Sequence, residues 1–263
     1  FPLKRKKKLS TYWKIVRELR KENGELGVIF VNTFISALLF RLGNVKKNIG
    51  YNREGRGFLL DFSPEINYHK HYINRYAFLF NEYIGNKYVY LPELSLRYTG
   101  QKTFQFDNSH KTIALYLGGE NKEFRKYPDE YAVQLLRLLN RQGYNLLLIG
   151  DENDNIKHTQ YAEEARIDHL INLTARTTIE GFINTIANVD LIITIDSSAL
   201  HIAAAVKTPF IALMGLSTSP TSTILPKVPL GRILKIENNL IREEDYIRNI
   251  TPDLILKTIS ELI

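Results

Sequence analysis

The stretch from Val189 to Pro220, VDLIITIDSSALHIAAAVKTPFIALMGLSTSP, limits the fold of this chain more than any other part of it. Leu191 to Ile195 is an unbroken apolar run rich in β-branched residues, the pattern of a strand buried on both faces of a parallel sheet. Asp196, Ser197 and Ser198 follow, and all three types cap helix N-termini. Ala199 to Val206 then predicts a short helix capped by Ser198, ended by Lys207-Thr208-Pro209, with Phe210 to Met214 as the next strand. A strand, a polar turn and a helix N-terminus make an anion site, because unpaired N–H groups and the positive end of the helix dipole converge there. With Ser198 as the cap, His201 is the third helical residue, and its side chain leans back toward the same point. An imidazole there can hydrogen-bond a phosphate, and Asp196 at the strand tip can accept from a sugar or ribose hydroxyl. A purely structural reading uses the same residues, with Asp196 capping the helix and His201 an ordinary half-buried histidine.

The chain holds no cysteine, which excludes disulfides, thiolate metal sites and a cysteine nucleophile. No apolar run approaches the ~20 residues of a membrane-spanning helix. Charge is unevenly placed. Residues 1–60 carry 14 Lys and Arg against 4 Glu, a net of +10, and the rest carry 21 against 24, a net of −3. A basic end on an otherwise acidic chain points to an anionic partner: a membrane surface, a phosphorylated substrate or nucleic acid. For Lys4 to Lys8 the simpler reading is a solvated surface. Nucleic acid is not an expected partner, because the aromatic residues fall in apolar patterns instead of beside phosphate-binding basic ones.

Read in order, the chain alternates helix and strand, which is the signature of an α/β fold. Helices are expected over Leu9–Asn23, Phe34–Leu42 and His69–Ile84, and strands over Leu26–Val31 and Val45–Tyr51. Asn52 to Pro64 is a loop with two arginines and two glycines. Pro92 to Asn108 shows little periodicity and is the expected linker, which sets domains at 1–106 and 107–263. The second domain restarts with a strand at Ile113–Leu117, and its sheet continues through Asn145–Ile149, Ile171–Leu173, Leu191–Ile195, Phe210–Met214 and Ile233–Ile236. Beyond the carboxyl ends of these strands lie Gly118-Gly119-Glu120, Gly150-Asp151, Thr177-Thr178 and Asp196-Ser197-Ser198, around one expected ligand crevice. Arg125 and Lys126 suit a diphosphate, since a charge-assisted bond to a guanidinium or ammonium is the usual device. No Walker-type loop, GxGxxG or HExxH motif is present, so neither a P-loop nor a catalytic metal is indicated.

The runs GGENKEFRKYPDEYAVQLLRLL, LLLIGDEND, NLTARTTIEGF and DLIITIDSSALHIAAAVKTPFIALMG, followed by STSP, resemble the heptosyltransferases of glycosyltransferase family nine. NTFISALLFRLGNVKKNIGYNREGRGFLL and HYINRY resemble the acceptor-side domain of that family, so the likeness covers nearly the whole chain in order. The resemblance implies a GT-B fold, two Rossmann-like domains with parallel sheets facing across a cleft, the N-terminal one incomplete. It implies a metal-independent, inverting transfer of heptose from ADP-L-glycero-D-manno-heptose to a lipid A–core saccharide, with no cofactor. Another nucleotide-sugar donor on the same fold, or a non-catalytic nucleotide-binding module, are the alternatives.

Carried over position by position, the donor-binding set is Arg125, Lys126, Thr177, Thr178, Asp196, Ser197, Ser198 and His201, with Glu120 and Glu152 reaching the donor from neighbouring loops. The family's last turn falls on Gly215, Thr218, Ser219 and Pro220. Asn32, Ser36, Arg53 and Arg56 are expected on the acceptor side. The family begins with a strand and a turn bearing its general base. That segment is expected to precede Phe1, about 50–60 residues at ~30 per βαβ unit. The catalytic base is therefore expected outside this sequence, and the chain as written is expected to bind donor without transferring sugar. The implied location is the cytoplasm, with peripheral contact at the inner face of an anionic membrane through the basic end. The last helix, from Asp253, is expected to pack back on the first domain.

Overall fold

The computed structural model describes residues 9–89, 93–106, 109–215, 225–226, 228–236 and 242–263. The chain forms two units, one built on Phe1–Pro92 and the other on Glu93–Thr221 with Leu225–Ile263. Among the described residues every strand pair in both is parallel, as the apolar runs and the alternation of elements require.

In the first unit, α1 (Leu9–Glu22) precedes β1 (Leu26–Ile29), α2 (Phe34–Leu42), β2 (Lys47–Gly50) and α3 (Tyr72–Tyr83). Arg20 and Lys21 in the last turn of α1 suit the negative end of its dipole, and Asn23 leaves the helix in the left-handed conformation at φ 47°. β1 and β2 pair from Leu26 opposite Lys47 to Ile29 opposite Gly50. Thr33 caps α2 by accepting from the Ser36 amide, and the Glu54 carboxylate accepts from the Phe34 amide at 2.9 Å. Two acceptors thus cover orphan donors of the first turn.

In the second unit, β3 (Thr112–Tyr116), α4 (Asp129–Arg141), β4 (Asn145–Leu148), α5 (Asn155–Ala165), β5 (Ile171–Asn172), α6 (Ile179–Ala187), β6 (Leu191–Ile195), α7 (Ser198–Val206), β7 (Phe210–Leu213), β8 (Gly231–Leu234) and α8 (Pro252–Ile259) follow one another. The sheet order is β5-β4-β3-β6-β7-β8. β3, β4, β6 and β7 are buried along their whole length, which is why they read as continuous apolar runs instead of alternating ones. Leu135, Leu136 and Leu139 of α4 join Leu146 and Leu148 in the core. α8, capped by Thr251 with Pro252 in its first turn, places Ile255 and Ile259 in that same core.

The segment expected as a linker belongs to the second unit over 93–106. The Leu96 amide donates to the carbonyl of Ala205 in α7 at 3.1 Å. Asn184 of α6 accepts from the amides of Thr99 and Gly100, both at 3.2 Å, and donates to Thr99 Oγ1 at 2.8 Å. Thr103 and Thr185 share a hydroxyl pair at 2.6 Å. This strap has no periodicity because side chains of α6 and an α7 carbonyl, not a neighbouring strand, satisfy its backbone.

Candidate functional site

Counted from β3, the second sheet runs 3-2-1-4-5-6, so strand order reverses between β3 and β6. Ligands in such sheets lie outside the carboxyl ends of the strands at that reversal. The β6 side of it is the Asp196-Ser197-Ser198 turn. The cap of α7 is Ser197, one residue earlier than the sequence pattern suggests, so Ser198 is the first helical residue and His201 the fourth. Thr194 explains the shift. Its hydroxyl donates to the carbonyl of Ile195 at 2.9 Å and lies 3.0 Å from Ser197 Oγ, which in turn accepts from the Ala199 amide at 3.2 Å. With its own proton on Ile195, Thr194 accepts from Ser197, and both serine functions are engaged in holding the helix end. Ser198 stands exposed beyond it, with Asp196 and His201 half-buried.

On the β3 side, Gly118 takes φ 79°, and a Cβ on Gly119 would fall 2.6 Å from the Asn153 carbonyl oxygen. Only glycine allows this turn to lie so close to the loop after β4. The following 3-10 turn, Glu120–Arg125, delivers Arg125 to the tip of β6, where its Nη1 approaches the Asp196 carbonyl at 3.5 Å. Lys126, next in sequence, turns elsewhere. Its Nζ pairs with Asp129 at 2.8 Å, and Asp129 also accepts from Lys157 at 3.0 Å and from the Tyr161 hydroxyl at 2.5 Å. Burial works against the Asp129 charge, but bonds from Lys126, Tyr161 and Lys157 prevail and hold its pKa down to about 2. Arg125 and Lys126 therefore part: one reaches the reversal, the other is held on α4.

The loops after β4 and β5 complete this end of the sheet. Asp151 caps a 3-10 turn over Glu152–Asp154 in a reciprocal capping box, leaving Glu152 exposed. Lys122 Nζ lies 2.9 Å from Asp151 and 5.6 Å from the centre of the Tyr116 ring. Burial again opposes the Asp151 charge, and Lys122 with the Asn153 amide lowers its pKa regardless. Thr178 caps α6 by accepting from the Gly181 amide at 3.0 Å, with Thr177 half-buried beside it. The Glu120 side chain and Thr218, Ser219 and Pro220 lie outside the described residues, as does Lys4 to Lys8.

In the first unit, Asn32, Ser36 and Arg56, expected on the acceptor side, are joined to one another. Arg56 is fully buried. Its Nη2 donates to Asn32 Oδ1 at 3.0 Å, its Nη1 to Ser36 Oγ at 3.0 Å and to the carbonyls of Thr33 and Val31, and its Nε to Tyr51 O at 2.9 Å. Burial lowers its pKa, with Glu54 opposing. Arg53 does remain at the surface, its guanidinium 5.4 Å from the centre of the Tyr68 ring. Among the described residues no three His, Asp or Glu side chains could hold a metal ion, and no helix is long and apolar enough to cross a membrane.

The family model of glycosyltransferase family 9 (heptosyltransferase) matches residues 12–244. The chain belongs to glycosyltransferase family 9. Among curated members of that family, it is similar to lipooligosaccharide heptosyltransferase 2 of Haemophilus influenzae, 26% identical over 97% of this chain and 81% of the relative. It is also similar to lipopolysaccharide heptosyltransferase 1 of Campylobacter coli, 24% identical over 99% of this chain and 82% of the relative. The solved structure of the ADP-heptose lipopolysaccharide heptosyltransferase II of E. coli superimposes with a TM-score of 0.81 at 22% identity, over 97% of this chain and 81% of that one. That of E. coli heptosyltransferase WaaC with ADP-2-deoxy-2-fluoro heptose gives 0.73 at 16% identity, over 96% and 76%. These likenesses establish the GT-B fold for this family 9 chain.

Thr194, Lys122 and a buried polar group in this family 9 chain, Tyr116, Asp154, His158 and Thr174, carry no site motif in the sequence. One signal was available. Asp151-x-x-Asp154 is a capping-box spacing, and His158 lies four residues further on the same helical face.

Proposed function

We propose that this chain is an inverting heptosyltransferase whose second unit binds ADP-L-glycero-D-manno-heptose and whose acceptor is an inner-core lipopolysaccharide saccharide. The observation that carries this reading is Arg125 at the tip of β6, beside the N-terminus of α7. A fixed cation and a helix dipole address one point at the strand reversal, and a diphosphate is the anion that uses both. E. coli WaaC, solved with ADP and with ADP-2-deoxy-2-fluoro heptose, supports the choice of nucleotide.

In this reading Ser197 keeps the helix end rigid, while Ser198, His201 and Arg125 contact the diphosphate. Asp196 accepts from a donor hydroxyl, and Thr177, Thr178 and Glu152 approach the nucleotide from the adjoining loops. Transfer is a single displacement. The acceptor oxygen bonds to the anomeric carbon as the bond from that carbon to the diphosphate oxygen breaks, with inversion. A base takes the hydroxyl proton and the electron pair leaves on the diphosphate. Arg125 and the helix end stabilise that developing charge, the role a divalent cation would otherwise fill.

Calorimetric titration with ADP, ADP-heptose and a UDP-sugar tests the reading. Arg125→Ala weakens ADP binding about tenfold or more, the loss of a hydrogen bond to a charged group worth about 1.5–3 kcal/mol. Lys126→Ala leaves the affinity within about twofold, because Asp129 holds that side chain. Equal binding of UDP-sugar and ADP moves the reading to another donor, and no nucleotide binding overturns it. The basic first sixty residues add a peripheral contact at the cytoplasmic face of the membrane. Flotation with anionic vesicles at low salt, lost as salt rises, is the expected result, and no flotation at low salt removes this contact.

A further inference from the structure

A buried polar cluster lies under the loops that follow β3, β4 and β5, and the proposed donor contacts leave it without a role. Asp154, His158 and Thr174 are fully buried, and Tyr116 nearly so. His158 Nδ1 and Thr174 Oγ1 are 2.8 Å apart. Asp154 Oδ2 accepts from the Asp151 amide at 3.0 Å. His158 Nε2 and Asp154 Oδ1 have no hydrogen-bond partner among the described residues. Buried polar atoms left in this state are uncommon and costly, so the cluster calls for an explanation beyond packing.

The explanation lies in what the cluster touches. A Cβ on Gly119 would sit 2.9 Å from Asp154 Oδ1, and one on Gly150 would sit 2.9 Å from Asp154 Oδ2. The turns after β3 and β4 therefore rest on the same carboxylate. The Ala175 amide donates to the Gly150 carbonyl at 3.2 Å, which joins the loop after β5 to them. Ala175, directly after Thr174, is held at φ 60°, a left-handed conformation that an alanine rarely adopts unless its surroundings impose it. Thr177 and Thr178 follow within three residues. Burial pushes the His158 imidazole down to about 4, against the Asp151 charge, so the ring is neutral at pH 7. One of its nitrogens then meets Thr174 as a plain donor or acceptor.

We propose that His158 is a positioning residue for the nucleotide site: through Thr174 it holds the left-handed Ala175 turn that presents Thr177 and Thr178. It touches no ligand itself. The proposal rests on the nucleotide reading of the second unit.

The test uses the full chain, ADP as the probe and calorimetry as the readout, alongside melting and amide exchange. His158→Phe keeps the ring volume and breaks the bond, leaving Thr174 Oγ1 unpaired and the chain less stable. The double variant His158→Phe/Thr174→Val removes both partners, so its melting temperature returns toward that of the wild type. Its ADP affinity stays weaker by roughly fivefold or more, and the amides of residues 175–178 exchange faster. His158→Asn places a polar atom near the Nδ1 position and restores most of the affinity. A double variant that binds ADP as the wild type does, while the wild type binds well, overturns this proposal alone. A wild-type chain that binds no ADP overturns it together with the nucleotide reading.

Discussion

Replacing Arg56 with methionine destabilises the first unit by about 3–4 kcal/mol. The guanidinium is fully buried and, among the described residues, has no carboxylate in its hydrogen-bond network. Its partners are Tyr51 O, Val31 O, Thr33 O, Ser36 Oγ and Asn32 Oδ1. These atoms come from the carboxyl ends of β1 and β2 and from the entry to α2, so one side chain ties the two strand ends to the start of the helix. Methionine keeps most of the stem and removes every donor. Each acceptor left buried and unpaired costs about 1–3 kcal/mol. Asn32 and Ser36 stand only half-buried and regain water, which keeps the total well below the sum. Urea unfolding followed by Trp13, the single tryptophan and a residue of α1, reports on this unit. A loss under about 1 kcal/mol would show that the arginine is solvated.

Arg56 also shows where a sequence stops being informative. NREGRG reads as an exposed basic loop, and in that local pattern Arg53 and Arg56 are equivalent. Left-handed backbone at Glu54 and Gly55 reverses the chain between them, so Arg53 faces solvent and Arg56 points inward. Arg125 and Lys126 divide in the same way, because Asp129 lies three residues from Lys126 and captures it. What was legible was set by local rules: the apolar runs of β3, β4, β6 and β7, and the helical spacing that became α1, α2 and α3. Ser197 and Ser198 are equally good caps locally, and the Thr194 contact that selects Ser197 depends on the folded end of β6. The strap over 93–106 was illegible because its partners, Asn184 and Ala205, are some eighty and more residues away.

Lowering the pH from 7 to 4 removes about 3 kcal/mol from the second unit through His158 alone. The ring is fully enclosed, with Tyr116 and Tyr161 packed edge-on or tilted around it at 6.5 and 5.8 Å, and burial depresses its pKa to about 4. An ordinary histidine, at 6.5, takes up its proton first. Between those two values the unfolded chain is protonated and the folded one is not, so the unfolded state gains with every step toward acid. The stabilisation is complete above 6.5 and lost as pH falls toward 4, with a slope of at most about 1.4 kcal/mol per pH unit. Asp129 acts in a different window. Its carboxylate, held down to about 2, contributes above the ordinary aspartate value and fails only in stronger acid. With its side chain 40% exposed, solvent screening limits that contribution to about 1 kcal/mol. The two effects separate in urea unfolding of the wild type and His158→Asn at half-unit steps of pH. Contributions common to both proteins cancel in the difference. A difference that closes by about 3 kcal/mol between pH 7 and 4 is the expected result. A constant difference across that range would mean that His158 is protonated in the folded protein as readily as in the unfolded one, and the ring would then have access to water.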